Sequence, residues 1–337
     1  MPSGHDNDGH GMIRYKPFLI MGHTRRAIPL TNSVQHSGAG DALARDWKGR
    51  NTPCFVWRVI LMAKDPLVAF QGEKGAYSED ACFKYFGRDV KTRPFLDFQS
   101  VFEAVEKDEV THAVVAIENS IEGSVAQVND LLFDHDLTIS GEIIVPIRHC
   151  LMAYDDADIE SIREVLSHPQ ALGQCRKFLQ AHPEWRIIPS YDTAGSARIV
   201  AETKRTDQAA IASKRAASVY GLKILKEDIQ SEVVNFTRFF VLEKNPPTVK
   251  GANKTSIVFA SKNVPGALHR CLGEFASRDV NLSKLESRPR KNKPWVYVFY
   301  ADFDGSMDDP NCHAAIGGLI RTAAFVKILG SYKKADA

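Results

Sequence analysis

Apolar residues are distributed along this chain in two ways. Compact clusters at 67–70, 113–117, 162–166 and 209–212, bounded by glycine, proline or polar residues, predict short buried strands. Between them, apolar residues spaced at helical intervals over 78–86, 100–107, 125–133, 169–179, 193–203 and 214–220 predict helices packed by one face. This succession defines an α/β arrangement that begins near residue 66, with a second lobe over about 146–220. The pattern breaks at 244–251, a stretch with Pro246, Pro247 and Gly251, and then resumes in a new order. Strand, helix, strand, strand, helix, strand over 255–332 is a ferredoxin-like (βαββαβ) plait. The predicted domains are therefore a two-lobed 66–244 and a smaller 253–335.

Residues 1–61 follow neither pattern and are expected to be a disordered or targeting arm. Residues 11–40 contain Arg14, Lys16, Arg25 and Arg26 and no acidic residue, which is faintly like an organellar transit peptide. His5 and His10 belong to its polar tail rather than to a metal site. Lysine and arginine together number 43 against 41 aspartates and glutamates, so no global basic field invites nucleic acid. The longest apolar runs fall short of a membrane span. The six cysteines, Cys54, Cys82, Cys150, Cys175, Cys271 and Cys312, are scattered without a CxxC pair. Such usage suits reduced, buried thiols in a cytosol-like compartment. A cytoplasmic location is expected, or a plastid one if 1–61 is a transit peptide.

The stretch 234–242, Val-Asn-Phe-Thr-Arg-Phe-Phe-Val-Leu, reads as a buried strand interrupted by Asn235, Thr237 and Arg238. Leaving such groups buried and unpaired costs about 1–3 kcal/mol each, so polar partners are expected opposite them. The glycine turn from Gly72 to Gly75 offers backbone N–H groups that suit an anion, with Ser78 capping the next helix. It has neither P-loop spacing nor a GxGxxG pattern. The strand at 113–117 runs into Glu118, Asn119 and Ser120, at the carboxyl edge where open α/β sheets bind ligands. Ser167 is expected to cap the helix opened by Pro169, with Gln174 further along it. His149 and Cys150 are neighbours on a predicted strand and point to opposite faces, so they cannot form a catalytic dyad. Arg288, Arg290, Lys291 and Lys293 are expected in a solvated hairpin loop.

Taken together, Gly72-x-x-Gly75-Ala76-Tyr77-Ser78, Ile117-Glu118-Asn119-Ser120-Ile121-x-Gly123-x-Val125 and Asn235-x-Thr237-Arg238-Phe239 resemble signatures of the prephenate dehydratase family, which includes the arogenate dehydratases. Gly266-Ala267-Leu268 and Glu286-Ser287-Arg288-Pro289 are similar to the phenylalanine-binding segments of ACT regulatory domains. The resemblance covers about 66–335. Ala116 is a departure, since many members carry proline there.

The resemblance implies a periplasmic-binding-protein-like catalytic domain with its active site in a cleft, followed by an ACT domain. It implies decarboxylation and dehydration of prephenate to phenylpyruvate, or of arogenate to phenylalanine, without a cofactor. Thr237 is then the acid or hydrogen-bond donor to the departing hydroxyl, with electrostatic stabilisation more plausible than full ionisation. Asn119, Ser120, Ser167 and Gln174 orient the ring hydroxyl and carboxylates. Arg238 offers a fork for a carboxylate, and Phe239, Gly75, Ser78 and Glu118 complete the substrate-binding set. Phe236 or Phe239 supplies an apolar wall. No motif has metal-ligand spacing. Phenylalanine as effector would lie between two ACT domains, on Gly266, Ala267, Leu268, Asn281, Leu282, Glu286, Ser287, Arg288 and Pro289. A homodimer or homotetramer is expected, with no nucleic-acid or membrane partner.

Prephenate is the first expected substrate and arogenate the alternative, and no residue in the sequence separates them. A non-catalytic phenylalanine sensor is the alternative from another class, although a sensor need not retain Thr237. A fused chorismate mutase is disfavoured, because 1–61 is too short and aperiodic for that activity's long helices.

Overall fold

The computed structural model describes residues 65–290 and 297–336. The arm at 1–61, Cys54, Lys291 and Lys293 lie outside the described residues. The first lobe runs through β1 (Leu67–Gln71), α1 (Tyr77–Phe86), β2 (Lys91–Phe95), α2 (Phe98–Glu106), β3 (His112–Asn119), β4 (Gly123–Ser124), α3 (Ala126–Asp134) and β5 (Thr138–Pro146). The chain then crosses into a second lobe of β6 (Cys150–Ala153), β7 (Glu164–Ser167), α4 (Pro169–Gln174), α5 (Arg176–Gln180), β8 (Arg186–Pro189), α6 (Thr193–Thr203), β9 (Gln208–Ala212), α7 (Lys214–Tyr220) and β10 (Lys223–Lys226). It returns to the first lobe as β11 (Phe236–Glu243). The two sheets are ordered β2-β1-β3-β11-β5, with β4 on β3, and β10-β6-β9-β7-β8.

β11 is the returning strand, antiparallel to β3 on one side and to β5 on the other. Phe239 and Val241 pack into the core that holds α1, while Phe240 and Leu242 enter the core on the opposite face. Burial on both faces explains why its apolar residues run together instead of alternating with polar ones.

The third sheet is built from β12 (Lys254–Ala260), β13 (Leu282–Pro289), β14 (Tyr297–Asp304) and β15 (Phe325–Tyr332), with α8 (Ala267–Ala276) and α9 (Pro310–Thr322). Its order, β13-β14-β12-β15, is wholly antiparallel and ferredoxin-like. Ile257, Phe259, Phe303 and Leu319 join one face to the two helices. Val258, Tyr300, Leu329 and Tyr332 on the other face share a core with Phe240 and Leu242. Contact there reaches backbone distance: a Cβ on Gly330 would lie 2.1 Å from the Ile139 carbonyl oxygen. The proline-bearing stretch at 244–251 therefore joins domains that share one core.

Several local expectations need correction. The N-cap of α1 is Ala76, and Ser78 lies inside the first turn. α4 is capped by the ring of His168, whereas Ser167 is the last residue of β7. Strand β2, Lys-Thr-Arg-Pro-Phe, has no apolar alternation to betray it, because it sits at the sheet edge and is largely exposed. Asp192, by contrast, caps α6 as its position suggests, accepting from the Gly195 N–H at 2.7 Å.

Candidate active site

A cleft of about 370 Å³ lies between the two lobes. Its floor is the end of the first sheet where β3 finishes and β11 begins. The β3–β11 register slips by one residue at Ile117, with Arg238 opposite Glu118 but Phe239 opposite Ala116. That bulge lets Ala116 and Asn119, three apart, face the cleft together with Thr237 and Phe239. Arg238, between the last two, faces the other way.

A continuous hydrogen-bond chain follows. The Asn119 Nδ2 group donates to Thr237 Oγ1 at 3.0 Å and to Asn235 Oδ1 at 2.8 Å. Asn235, 1 % exposed, donates in turn to Gln174 Oε1 at 2.8 Å. The same oxygen lies 2.9 Å from His149 Nε2, and Tyr77 Oη lies 3.0 Å from His149 Nδ1. Because Gln174 Oε1 can only accept, the neutral His149 ring carries its proton on Nε2, and the Tyr77 hydroxyl beside Nδ1 donates to the Arg148 carbonyl at 2.6 Å. Thr237 receives the Asn119 bond, and its own hydroxyl proton has no protein acceptor among the described residues. The proton is free to serve a group in the cleft. The chain also ties Asn119, Asn235 and Thr237 of the first lobe to Gln174 of the second.

Burial holds the His149 imidazole below its ordinary value of 6.5, and the bond to Gln174 opposes that shift only in part. The folded protein thus binds this proton less readily than the unfolded chain. Stability contributed by the neutral ring is complete above 6.5 and is lost as pH falls below it. Denaturant unfolding is expected to show a larger loss between about pH 7.5 and about pH 5 in the wild type than in His149→Asn. Equal losses in both proteins would remove His149 as the cause.

The cleft wall contains two carboxylates, Glu122 and Asp192, and two histidines, His149 and His168. No lysine or arginine among the described residues lines it. Positive potential comes instead from the N-termini of α1 and α6, whose first residues Tyr77, Ser78 and Thr193 border the cleft. His168 accepts from the Gln170 N–H on Nδ1, which leaves Nε2–H as a donor.

The expected residues divide sharply by position. Thr237, Asn119, Gln174, Phe239 and Ser78 line the cleft. Ser120 and Phe236 do not: the Ser120 hydroxyl accepts from the Phe236 N–H at 3.0 Å and fastens the two strand ends. Ser167 is fully buried, and its hydroxyl donates to the Ile211 carbonyl at 2.6 Å, so it is not placed to orient a ligand. The glycine turn offers no anion nest either. Gly72 N–H donates to the Phe95 carbonyl and Gly75 N–H to Glu79, while the Gly75 carbonyl accepts from Ser213. Gly75 serves packing, at φ +87°, with room for a Cβ denied by the Ala216 Cα at 2.8 Å.

The largest correction concerns Arg238. Its guanidinium donates to Glu142 and to Asp302, each at 2.6 Å, and to the Tyr332 hydroxyl at 3.1 Å. Lys254 also donates to Glu142, at 2.9 Å. This is a buried cluster of two cations and two anions between the first lobe and the third sheet, on the far side of β11 from the cleft. Glu118 likewise turns outward, within 3.6 Å of Arg238 and 3.1 Å of Lys284. Asn235 finds the polar partners expected for it, in Asn119 and Gln174, and His149, Tyr77, His168 and Asp192, outside the expected site set, also take part in the cleft or its hydrogen-bond chain. Adjacent polar residues at 234–237 were the available signal for Asn235, and a helix-capping aspartate at a lobe edge was the signal for Asp192.

In the C-terminal domain, Gly266 opens α8 at φ +74° and Glu286–Pro289 ends β13 near the same edge of the sheet. Asn281 and Leu282 lie at the opposite edge, five residues or about 16 Å along the strand from Ser287. One chain alone does not bring all nine expected effector residues together. Ser124 donates to Glu286, and Arg288 pairs with Asp130 at 3.3 Å. Arg288 therefore belongs to a domain contact and not to a solvated loop, and Arg290 stacks over Phe133.

Two α/β lobes around a polar cleft, with an ACT-type plait against the back, define a two-lobed domain of the periplasmic-binding-protein kind followed by an ACT-type domain. The prephenate dehydratase family model matches residues 68–247. The chain belongs to the prephenate dehydratase family, whose members are carbon–oxygen lyases. Arogenate dehydratase/prephenate dehydratase 2, chloroplastic, of Arabidopsis thaliana is 43% identical over 277 residues, covering 79% of this chain and 72% of its own length. A prephenate dehydratase from Arthrobacter aurescens, solved in complex with L-Phe, superposes with a TM-score of 0.74 at 33% identity, over 80% of this chain and 90% of that one. GqqA, a quorum quenching acylase, superposes with a TM-score of 0.73 at 31% identity, over 79% and 97%.

Proposed function

We propose that the chain catalyses the decarboxylating dehydration of a cyclohexadienol, converting prephenate to phenylpyruvate or arogenate to phenylalanine. Fold alone does not choose this chemistry, since the same scaffold carries an acylase. The observation that carries the reading is Thr237, a family-motif hydroxyl whose proton is unclaimed and whose oxygen is polarised by Asn119. In the reaction the bond from the ring to its carboxylate breaks, CO2 leaves, and the electron pair enters the ring. The ring expels its hydroxyl, which departs as water when a proton is supplied. Thr237 donates the hydrogen bond that stabilises the leaving oxygen. Asn119 and Gln174 fix the polar floor, Phe239 forms an apolar wall, and the N-termini of α1 and α6 meet carboxylates. The residues at work are all protein groups.

Phenylalanine, bound by the ACT domains of two chains, acts as a feedback effector in this reading. A relative was solved with L-Phe bound, and β13 touches the cleft-bordering Ser124 through Glu286. Residues 1–61 serve as a plastid-targeting arm, in keeping with chloroplastic relatives. N-terminal sequencing of the native protein, showing the arm retained, would count against that role.

Turnover of prephenate and arogenate by the purified full chain, with and without phenylalanine, is the test. Conversion of at least one, slowed by millimolar phenylalanine, is expected. No conversion of either, with phenylalanine still bound, would favour a sensor.

A further inference from the structure

Asp192 is a half-buried carboxylate in the cleft wall with no ion-pair partner among the described residues. Oδ1 is used to cap α6, through the Gly195 N–H. Oδ2 lies over Gly72, 3.3 Å from where a Cβ on that glycine would stand. Burial raises its pKa against the opposing pull of the Gly195 N–H bond; the nearby Glu73 adds to the rise, and His168 acts against it. Glu73 is itself satisfied by Arg198 at 3.3 Å and by the Tyr191 hydroxyl at 3.0 Å. A desolvated anion in this position favours a cation from the ligand.

The position fits one end of the substrate. β1 and β11 flank β3 in the sheet; Gly72 is level with Ala116 and Phe239, two strand spacings across, and Thr237 is two residues further along β11, so the two ends are about 12 Å apart. With the ring hydroxyl at Thr237, the side chain across the ring reaches toward Gly72 and Asp192. That side chain carries a keto oxygen in prephenate and an ammonium in arogenate. A carboxylate attracts the ammonium and repels the lone pairs of the keto oxygen, so one group acts for one substrate and against the other.

Resting on the dehydratase reading above, we infer that Asp192 receives the substrate's side-chain ammonium and makes this cleft selective for arogenate over prephenate. Glu122, the other carboxylate of the wall, is exposed to solvent and is a weaker discriminator.

The test compares kcat/KM for both substrates in the full-length wild type, Asp192→Asn and Glu122→Gln. Asparagine caps a helix as well as aspartate does, so the fold is retained and the charge alone is lost. An unchanged thermal midpoint verifies this. The wild type is expected to prefer arogenate. In Asp192→Asn, arogenate efficiency should fall at least tenfold through KM, while prephenate efficiency holds or rises, because an amide N–H can donate to the keto oxygen. Equal losses on both substrates, a wild-type preference for prephenate, or a ratio moved by Glu122→Gln instead would overturn the assignment. Failure of the wild type to convert either substrate would overturn the dehydratase reading itself, and this inference with it.

Discussion

Thr237→Val is expected to lower kcat by about 10²–10⁴-fold while KM changes little. Valine keeps the β-branched shape, so β11 and the cleft wall persist, and only the hydroxyl is removed. What is lost is a donor prepared in advance: Asn119 Nδ2 occupies a lone pair of Oγ1 at 3.0 Å and turns the O–H toward the cleft. A hydrogen bond accepted by an oxygen strengthens the one it donates. The oxygen leaving the ring gains negative charge only as the bond breaks, so the contribution falls on the transition state and appears in kcat. Thr237→Ser, which keeps the hydroxyl, should retain most of the rate. Steady-state kinetics on the preferred substrate decides the matter, and a valine variant with near wild-type kcat removes Thr237 from the chemistry.

Arg238→Met should cost about 3–5 kcal/mol of stability. The side chains of Glu142 and Asp302 are 1% and 6% exposed, and each receives a guanidinium bond. Removing Arg238 leaves Asp302 without a cation and Glu142 with Lys254 alone. A buried charge left without its partner is far more costly than the intact pair is stabilising. Arg238→Met combined with Asp302→Leu should therefore recover much of the loss, since both ends of one pair are then apolar. Denaturant unfolding of the two variants measures this. A guanidinium that instead gripped a substrate carboxylate would give the opposite signature, a raised KM with stability unchanged.

The elements themselves were largely legible. Clustered apolar residues located β1, β3, β9 and β11, and the change of period after 251 marked the plait. The sequence could not disclose which face of β11 meets the cleft. Its residues are apolar on both sides, so the pattern that usually separates core from solvent carries no sign. Even so, alternation rules out a shared role for adjacent strand residues, and it separates Thr237 from Arg238; His149 lies in the loop before β6, outside the reach of that rule. Applied to Thr237 and Arg238, it would have placed one of them outside the cleft. Ser167 was misplaced for another reason. A serine just before His-Pro has the composition of a helix cap, but the His168 ring took that role and the hydroxyl went to Ile211 across the sheet. Asn235 and Gln174 meet across 61 residues of chain, a contact that no local pattern encodes.

Thr237 and Arg238 are consecutive residues on a strand, one side chain in the cleft and the other bound to Asp302 of the ACT domain. The chemistry and the domain expected to govern it are thus separated by a single pleat of backbone. A tilt of the third sheet that pulled on the guanidinium would act directly on the peptide unit between Arg238 and Thr237. Control of such a site would need no relay of side chains across the protein, because adjacent residues of one strand share the backbone that orients both side chains.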